Sequence, residues 1–347
     1  MSGTTTFTFD ALKDLIADIF VKAGFSPLVA ASVAGTIAAG ERDACKSHGV
    51  YRIEGCLRTV KAGKVMPDAV PVVEDDGQSG IIRVDAMSGF SGPAFDAGAP
   101  LAAARAKKLG VAALAINRCT HFSALWPEIE ALTGMGVAAL AMCPSYATVA
   151  PSGGTEPLLG TNPLAFGWPR PGKNPYVFDF ATSVAARGEI ELYRRAGKQL
   201  PQGWAVDVHG APTTDPAEAL AGAMLPFGGH KGSAISTMIE LLAGAMIGDL
   251  NSREALDYLG TTTLAPHHGE LILVFSPEAF SKGRPGDPFA KAELLFEAIA
   301  GQGARLPSQR RFTARAASET DGITLSADEM ALLDRLRSQG LDAVQLL

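Results

Sequence analysis

Gly134-Met135-Gly136-Val137-Ala138-Ala139 is the one stretch of this chain that matches the G-x-G-x-x-G/A pattern of dinucleotide-binding turns. In that pattern the glycines close a turn from a strand into a helix, so that phosphate oxygens meet the helix N-terminus. Here the order is inverted. Ala124 to Thr133 reads as a helix ahead of the glycines, and Val137 to Met142 reads as a strand behind them. The stretch is therefore a helix stop, and a Rossmann phosphate turn is not located here.

Outward from this point, short β-rich runs alternate with helices. Strands are predicted at Ile81 to Val84, Val111 to Ile116, Leu164 to Trp168, Tyr176 to Phe180 and Leu271 to Phe275, and helices at Pro93 to Lys108, Gly188 to Ala196 and Lys231 to Ile247. A central sheet follows. The N-terminal part is helical: Phe9-Asp10 reads as staple and N-cap of a helix ending at Gly24, and Ser26-Pro27 starts a second. Ser47 reads as the N-cap of a third helix running to Gly63, and the last fifty residues return to helix. Pro- and Gly-containing stretches near 168–175 and 281–288 read as loops, and no internal repeat is present. The expected organisation is a helical domain from both chain ends, residues 1–75 plus 310–347, around a central region, residues 76–309.

With 347 residues, 47% of them apolar, the chain can bury a sizeable core. The formal charge of −6, without a Lys/Arg run, argues against nucleic acid as a partner, because phosphate contacts need clustered cations. Cys45, Cys56, Cys119 and Cys143 have no C-x-x-C spacing, and Met1-Ser2-Gly3-Thr4-Thr5-Thr6 lacks a basic and an apolar leader region. A cytoplasmic location is expected. Apolar runs are too short to span a bilayer, so no membrane association is expected. His267-His268 lacks the partner spacing of zinc-binding helices and reads as a loop, so no metal is expected.

Chemistry concentrates at Ser47-His48-Gly49-Val50-Tyr51-Arg52. On a helix beginning after Ser47, His48 and Arg52 share one face, while Val50, Ile53, Leu57 and Val60 point to the other. A first-turn histidine feels the positive end of the helix dipole, which favours its neutral form. Arg52 beside it can hold a carboxylate through two parallel hydrogen bonds. Gly228-Gly229-His230-Lys231-Gly232 opens a helix, where glycines let a ligand approach backbone N–H groups and Lys231 adds positive charge.

Ser47 to Arg52 resembles the start of the active site in the malate/L-lactate dehydrogenase-type oxidoreductases. His121-Phe122-Ser123-Ala124-Leu125-Trp126-Pro127, Gly160 to Gly167, Phe178 to Ser183 and Pro226 to Gly232 are similar to that family's signatures, in its order. The likeness covers roughly residues 10 to 320 and is strongest to the branch that reduces Δ1-piperideine-2-carboxylate and Δ1-pyrroline-2-carboxylate. It implies an α/β fold with a mainly antiparallel central sheet flanked by helices, a non-Rossmann NAD(P) site, and a homodimer whose partner helps complete each site. It also implies cofactor contacts from His121, Phe122, Ser123, Ala124 and Leu125, from Asp179, Phe180 and Ala181, from His230 and Lys231, and from Arg305, Leu306, Pro307, Ser308, Gln309, Arg310 and Arg311. Taken alone, His121 reads as a core histidine and Asp179 as a carboxylate capping a turn. The guanidinium groups of Arg305, Arg310 and Arg311 favour a 2′-phosphate, hence NADPH, with NADH as second choice.

By the same resemblance the substrate is a cyclic imine carboxylate, reduced to L-proline or L-pipecolate. Arg52, Thr161, Arg187 and Gly188 bind it, His48 delivers the proton, and Ser47 with a carboxylate orients the imidazole. The branch carries His-Gly-Asp where this chain has Arg187-Gly188-Glu189, which makes Glu189 the expected carboxylate and Asp179 the fallback. A 2-oxo acid substrate, giving a malate-, lactate- or ureidoglycolate-type dehydrogenase, is the second reading, and a catalytically silent metabolite-binding protein the third. A Ser-His-acid hydrolase is disfavoured, because adjacent Ser and His seldom place Oγ against a ring nitrogen in triad geometry and no G-x-S-x-G elbow is present.

Overall fold

The computed structural model describes residues 4–346; Met1-Ser2-Gly3 of the N-terminal stretch considered above, and Leu347, lie outside the described residues. Seven strands form the central sheet, in the order Val72–Glu74, Ile81–Asp85, Val111–Thr120, His267–Phe275, Ala138–Met142, Leu164–Trp168, Tyr176–Phe180. Ile81–Asp85 and Val111–Thr120 pair in parallel, and the other neighbours in this sheet pair antiparallel. The fold is thus mixed α/β, a sheet with helices on its faces.

The parallel pair requires a crossover, and helix Ser91–Leu109 supplies it. Its buried face is almost all small: Ala94, Ala99, Ala102, Ala103 and Ala106 meet Ile82, Val84, Leu114 and Ile116. A Cβ added at Gly98 would lie 2.5 Å from Leu114 Cδ1, so only a residue without one lets helix and sheet approach this closely. Strand alternation sends Ala115 and Leu271 to the opposite face, where Ile239 and Ala243 cover them. These two come from helix His230–Ile239 and its π-helical continuation Glu240–Ala245, which account for the predicted helix at Lys231 to Ile247.

Both chain ends enter a second core. Thr5–Phe7 pairs antiparallel with Ile323–Leu325, and Leu12, Ile16, Phe20, Val33, Ile37, Ile53 and Leu57 pack with Leu333, Leu336 and Val344. Phe90 joins this core from the central region. Among the described residues no helix is long and apolar enough to cross a membrane. All four cysteines are free, and three of them are buried.

Three local expectations are corrected. The first helix, Phe9–Lys22, is capped by Thr8, whose hydroxyl accepts from Ala11 N at 3.2 Å; Asp10 lies in the first turn instead. The third helix spans Arg52–Lys61, and Ser47 belongs to a separate 3-10 turn, Lys46–His48. His267-His268 is no loop but the buried start of strand His267–Phe275, with a register shift before Glu270. The small sheet of Ala205–Val206, Pro212–Thr213 and Ala223–Met224 went unread, since strands of two residues carry no periodicity.

Candidate active site

A cavity of about 930 Å³ opens between the two cores. Ser47, His48 and Arg52 form one wall, Thr161, Arg187 and Gly188 another, and His121 to Ala124, Trp126 and Asp179 to Ala181 a third.

The His48 turn is built on the second helix, Pro27–Arg42. A Cβ at Gly40 would lie 2.5 Å from His48 O, and one at Gly49 would run into the Glu41 carboxyl. Glu41 is buried, accepts from Val50 N at 2.8 Å and pairs with Lys46 at 2.5 Å. The glycine after His48 is therefore dictated by close approach. Within the turn, Ser47 Oγ lies 3.1 Å from His48 Nδ1. Adjacent Ser and His thus meet here, but not in triad geometry. The contact does not restore a hydrolase, because Ser47 stands on Nδ1, where a triad places its acid, and leaves Nε2 free to face a ligand.

Since His48 precedes the α-helix, the dipole argument for its neutrality fails. Burial, then the charge of Arg52 and then that of His121, push its pKa down to about 3. Trp126 meets the ring edge-on, with centroids 5.7 Å apart. Arg52 is anchored by Nε donating to Ser47 O at 2.6 Å. Its Nη2 points toward Gly188, where an added Cβ would lie 3.9 Å away. His48 and Arg52 do stand together, through this loop contact rather than a shared helix face.

Thr161 is held by a buried network that sequence reasoning missed. Asn162, at φ 32°, accepts from Ser145 N and Ser252 Oγ and donates to Ser236 Oγ at 2.9 Å and Glu240 Oε1 at 2.7 Å. Asn tolerates the left-handed region better than other side-chain-bearing residues, so the G-T-N-P stretch carried the signal. Arg187 Nη2 donates to Leu220 O at 3.1 Å and to Thr262 Oγ1 at 3.0 Å.

Glu189 is not brought to His48: it is exposed in the first turn of helix Arg187–Arg195 and off the cavity wall. Asp179 lies on the wall, but its carboxylate accepts from Leu125 N at 2.8 Å and Trp126 N at 3.0 Å, at the start of helix Trp126–Gly134. Leu125 itself is fully buried behind the wall. Of the expected cluster, Arg310 and Arg311 reach the cavity wall and Arg305 does not. Arg311 is buried, paired with Asp43 and Glu130 and stacked over Trp126. Arg310, Arg311 and Ser308 line the cavity, Leu306, Pro307 and Gln309 line a separate hollow of about 490 Å³, and Arg305 lines neither. His230 and Lys231 are exposed outside the cavity wall, linked to it by Phe227, whose ring meets Phe180 edge-on at 5.7 Å.

Two further wall or sub-wall groups escaped the sequence reading. His268 lines the cavity, its ring centroid 6.4 Å from that of His121, and burial holds it neutral with a pKa near about 3. Behind His121 lie Glu128 and Glu270, both buried.

The neutral imidazoles of His48 and His268, on a wall that also carries Arg52, suit proton transfer to a bound anion. The sequence profile described as malate/L-lactate dehydrogenase matches residues 7–334, and the chain belongs to that family. Among its relatives, a Δ1-pyrroline-2-carboxylate reductase of Agrobacterium fabrum is 71% identical over 344 residues, 99% of this chain and 100% of the relative. A Δ1-pyrroline-2-carboxylate/Δ1-piperideine-2-carboxylate reductase of Pseudomonas aeruginosa is 54% identical, covering 92% of this chain and 95% of the relative. The crystal structure of Δ1-piperideine-2-carboxylate reductase from Pseudomonas syringae pv. tomato superposes with a TM-score of 0.91 at 43% identity, covering 96% of this chain and 99% of that one. The chain is an oxidoreductase.

Proposed function

We propose that this enzyme reduces Δ1-pyrroline-2-carboxylate and Δ1-piperideine-2-carboxylate to L-proline and L-pipecolate with a nicotinamide cofactor. The observation that carries the chemistry is the placement of His48 and Arg52 on one wall of the cavity, with Arg52 tied to Ser47 O and Ser47 Oγ on Nδ1. Arg52 holds the substrate carboxylate through its terminal nitrogens, while Thr161 and Gly188 bound the ring and Arg187 flanks it. Ser47 fixes the imidazole so that Nε2 faces the imine nitrogen. The carboxylate offsets the Arg52 charge that disfavours protonated His48, so substrate binding itself raises the basicity of the ring.

The residues present fit a nicotinamide ring. Ser123 Oγ is buried on the cavity wall without a hydrogen-bond partner among the described residues, a free group for a carboxamide. His121 to Ala124 and Asp179 to Ala181 would hold the ring and its ribose, with Leu125 buried behind them, and the nicotinamide would supply the hydride for the imine carbon. Arg310, exposed on the cavity rim, is the cation best placed for a phosphate of the cofactor and supports NADPH over NADH. Such a site needs no Rossmann turn, in keeping with the helix stop at Gly134 and Gly136. A homodimer acting in the cytoplasm, with the two chain ends as one helical domain, completes this reading.

The test is a substrate panel. NADPH oxidation runs at far higher kcat/KM with the two cyclic imines than with pyruvate or oxaloacetate and vanishes in His48→Ala; the reverse ranking overturns the assignment.

A further inference from the structure

His121, Glu128 and Glu270 meet behind the cavity wall from three elements: the end of strand Val111–Thr120, helix Trp126–Gly134 and strand His267–Phe275. They are 5%, 8% and 0% exposed. His121 Nε2 lies 3.4 Å from Glu128 Oε1, and one polar atom from each of the three falls within 4.8 Å of the others. Yet Glu128 Oε2 and both oxygens of Glu270 have no hydrogen-bond partner among the described residues.

Two ionised carboxylates cannot sit side by side here. Each would be desolvated, each would repel the other, and their oxygens would be acceptors without a donor. A single retained proton removes one charge and supplies the missing donor at once, the behaviour of like carboxyls sharing a site. The raising influences outweigh the contact with Glu270, which lowers Glu128, and the charge of His121, which lowers Glu270. Burial first, and then the neighbouring Asp179 and Asp96, hold Glu128 up near about 7, and burial and Glu128 hold Glu270 well above the carboxylate range. The Cys119 and Cys143 thiols alongside are raised and stay neutral, as does His268.

We propose that Glu128 and Glu270 hold one proton between them and act as a positioning pair for His121. Glu270 is a carboxylic acid donating to Glu128, and Glu128 accepts from His121 Nε2–H, which leaves Nδ1 as the unprotonated nitrogen of the ring. The pair thereby fixes the tautomer and orientation of a wall residue. That this wall receives the nicotinamide rests on the function proposed above; the acid pair itself does not.

Two measurements on the full-length protein without substrate test it. In the infrared at about pH 8.5, above the value of about 7 for Glu128, the carbonyl band of a protonated buried carboxyl is present in the wild type and absent in Glu270→Gln. In nitrogen-15 NMR of histidine-labelled protein, His121 is the Nε2–H tautomer in the wild type and in Glu270→Gln, whose amide still donates to Glu128. In Glu128→Leu it becomes a mixture, and the Kd for NADPH rises about five-fold, as for loss of one orienting hydrogen bond. Absence of the band, an unchanged tautomer in Glu128→Leu, or a stoichiometric divalent metal in the wild type that Glu270→Gln loses would each overturn the proposal. Should Glu128→Leu not fold, the infrared comparison decides alone. Failure of the substrate panel leaves the infrared and tautomer readouts untouched, so the two proposals fail separately.

Discussion

Ser47 Oγ lies 3.1 Å from Nδ1 of His48, the residue that follows it in the chain. The 3-10 turn at Lys46–His48 makes this contact between neighbours, and it gives the serine the place that a carboxylate takes in a relay. A hydroxyl can donate to Nδ1 or accept from it, so it can follow the ring through protonation and deprotonation.

Removing that contact misorients the acid without removing it. Ser47→Ala is expected to lower kcat about tenfold, the worth of roughly one hydrogen bond in the transition state, with little change in KM. His48→Ala is expected to cost on the order of 10²–10⁴ in kcat, the usual contribution of a general acid. In the His48→Ala background the serine change should add nothing, since its partner is gone. Additive losses in steady-state kinetics would contradict the assigned role.

Glu189→Gln separates this arrangement from a carboxylate relay. With Glu189 exposed and away from His48, kcat is expected to stay within about threefold of wild type and stability within about 0.5 kcal/mol, as for surface substitutions generally. A loss matching that of His48→Ala would mean that helix Arg187–Arg195 brings the carboxylate to the ring during turnover.

What the sequence made legible follows the range of the interactions involved. Leu164–Trp168 and Tyr176–Phe180 were read to the residue, because alternation is local. Ser26 was read as a cap for the same reason. The start of the third helix was misplaced because Ser47 has a cap's chemistry but spends its hydroxyl on His48. Arg311 lines the cavity as the sequence suggests, but its pairing with Asp43 and Glu130 is not legible there because they lie 268 and 181 residues away. His267-His268 was read as a loop because nothing nearby announces that Thr120 and Cys119 pair with it across the sheet. Ser47, His48 and Arg52 were legible as a group because they are near neighbours, whereas Glu270 has meaning only beside Glu128.

Gly49→Ala tests whether close approach, not backbone freedom, explains the glycine. Its φ of −87° suits any residue, but the new methyl would meet the Glu41 carboxyl. The variant is expected to lose about 1–3 kcal/mol, typical of overpacking, read as a lower urea midpoint. In a Glu41→Ala background the methyl should cost less than about 0.5 kcal/mol, a coupling that a purely conformational cost would not produce.

Among the buried groups that make stability depend on pH, His268 and Glu270 act with opposite sign. His268 has a folded pKa near about 3, below that of an unfolded histidine, so the unfolded chain takes up the proton first as pH falls. Its contribution is fully present above about pH 6.5 and is lost progressively toward pH 3, amounting to about 2 kcal/mol at pH 5. Glu270 is shifted upward, so its contribution is complete below about pH 4.3, the value of a free glutamate, and declines as pH rises toward its folded value. Urea unfolding of wild type and His268→Asn should therefore give a stability gap that narrows by about 2 kcal/mol between pH 7 and pH 5. For Glu270→Gln the trend reverses: the variant gains on the wild type as pH rises from 5 to 8, because its amide has no proton to lose. Parallel curves for the wild type and either variant would show that the group in question titrates normally in the folded protein.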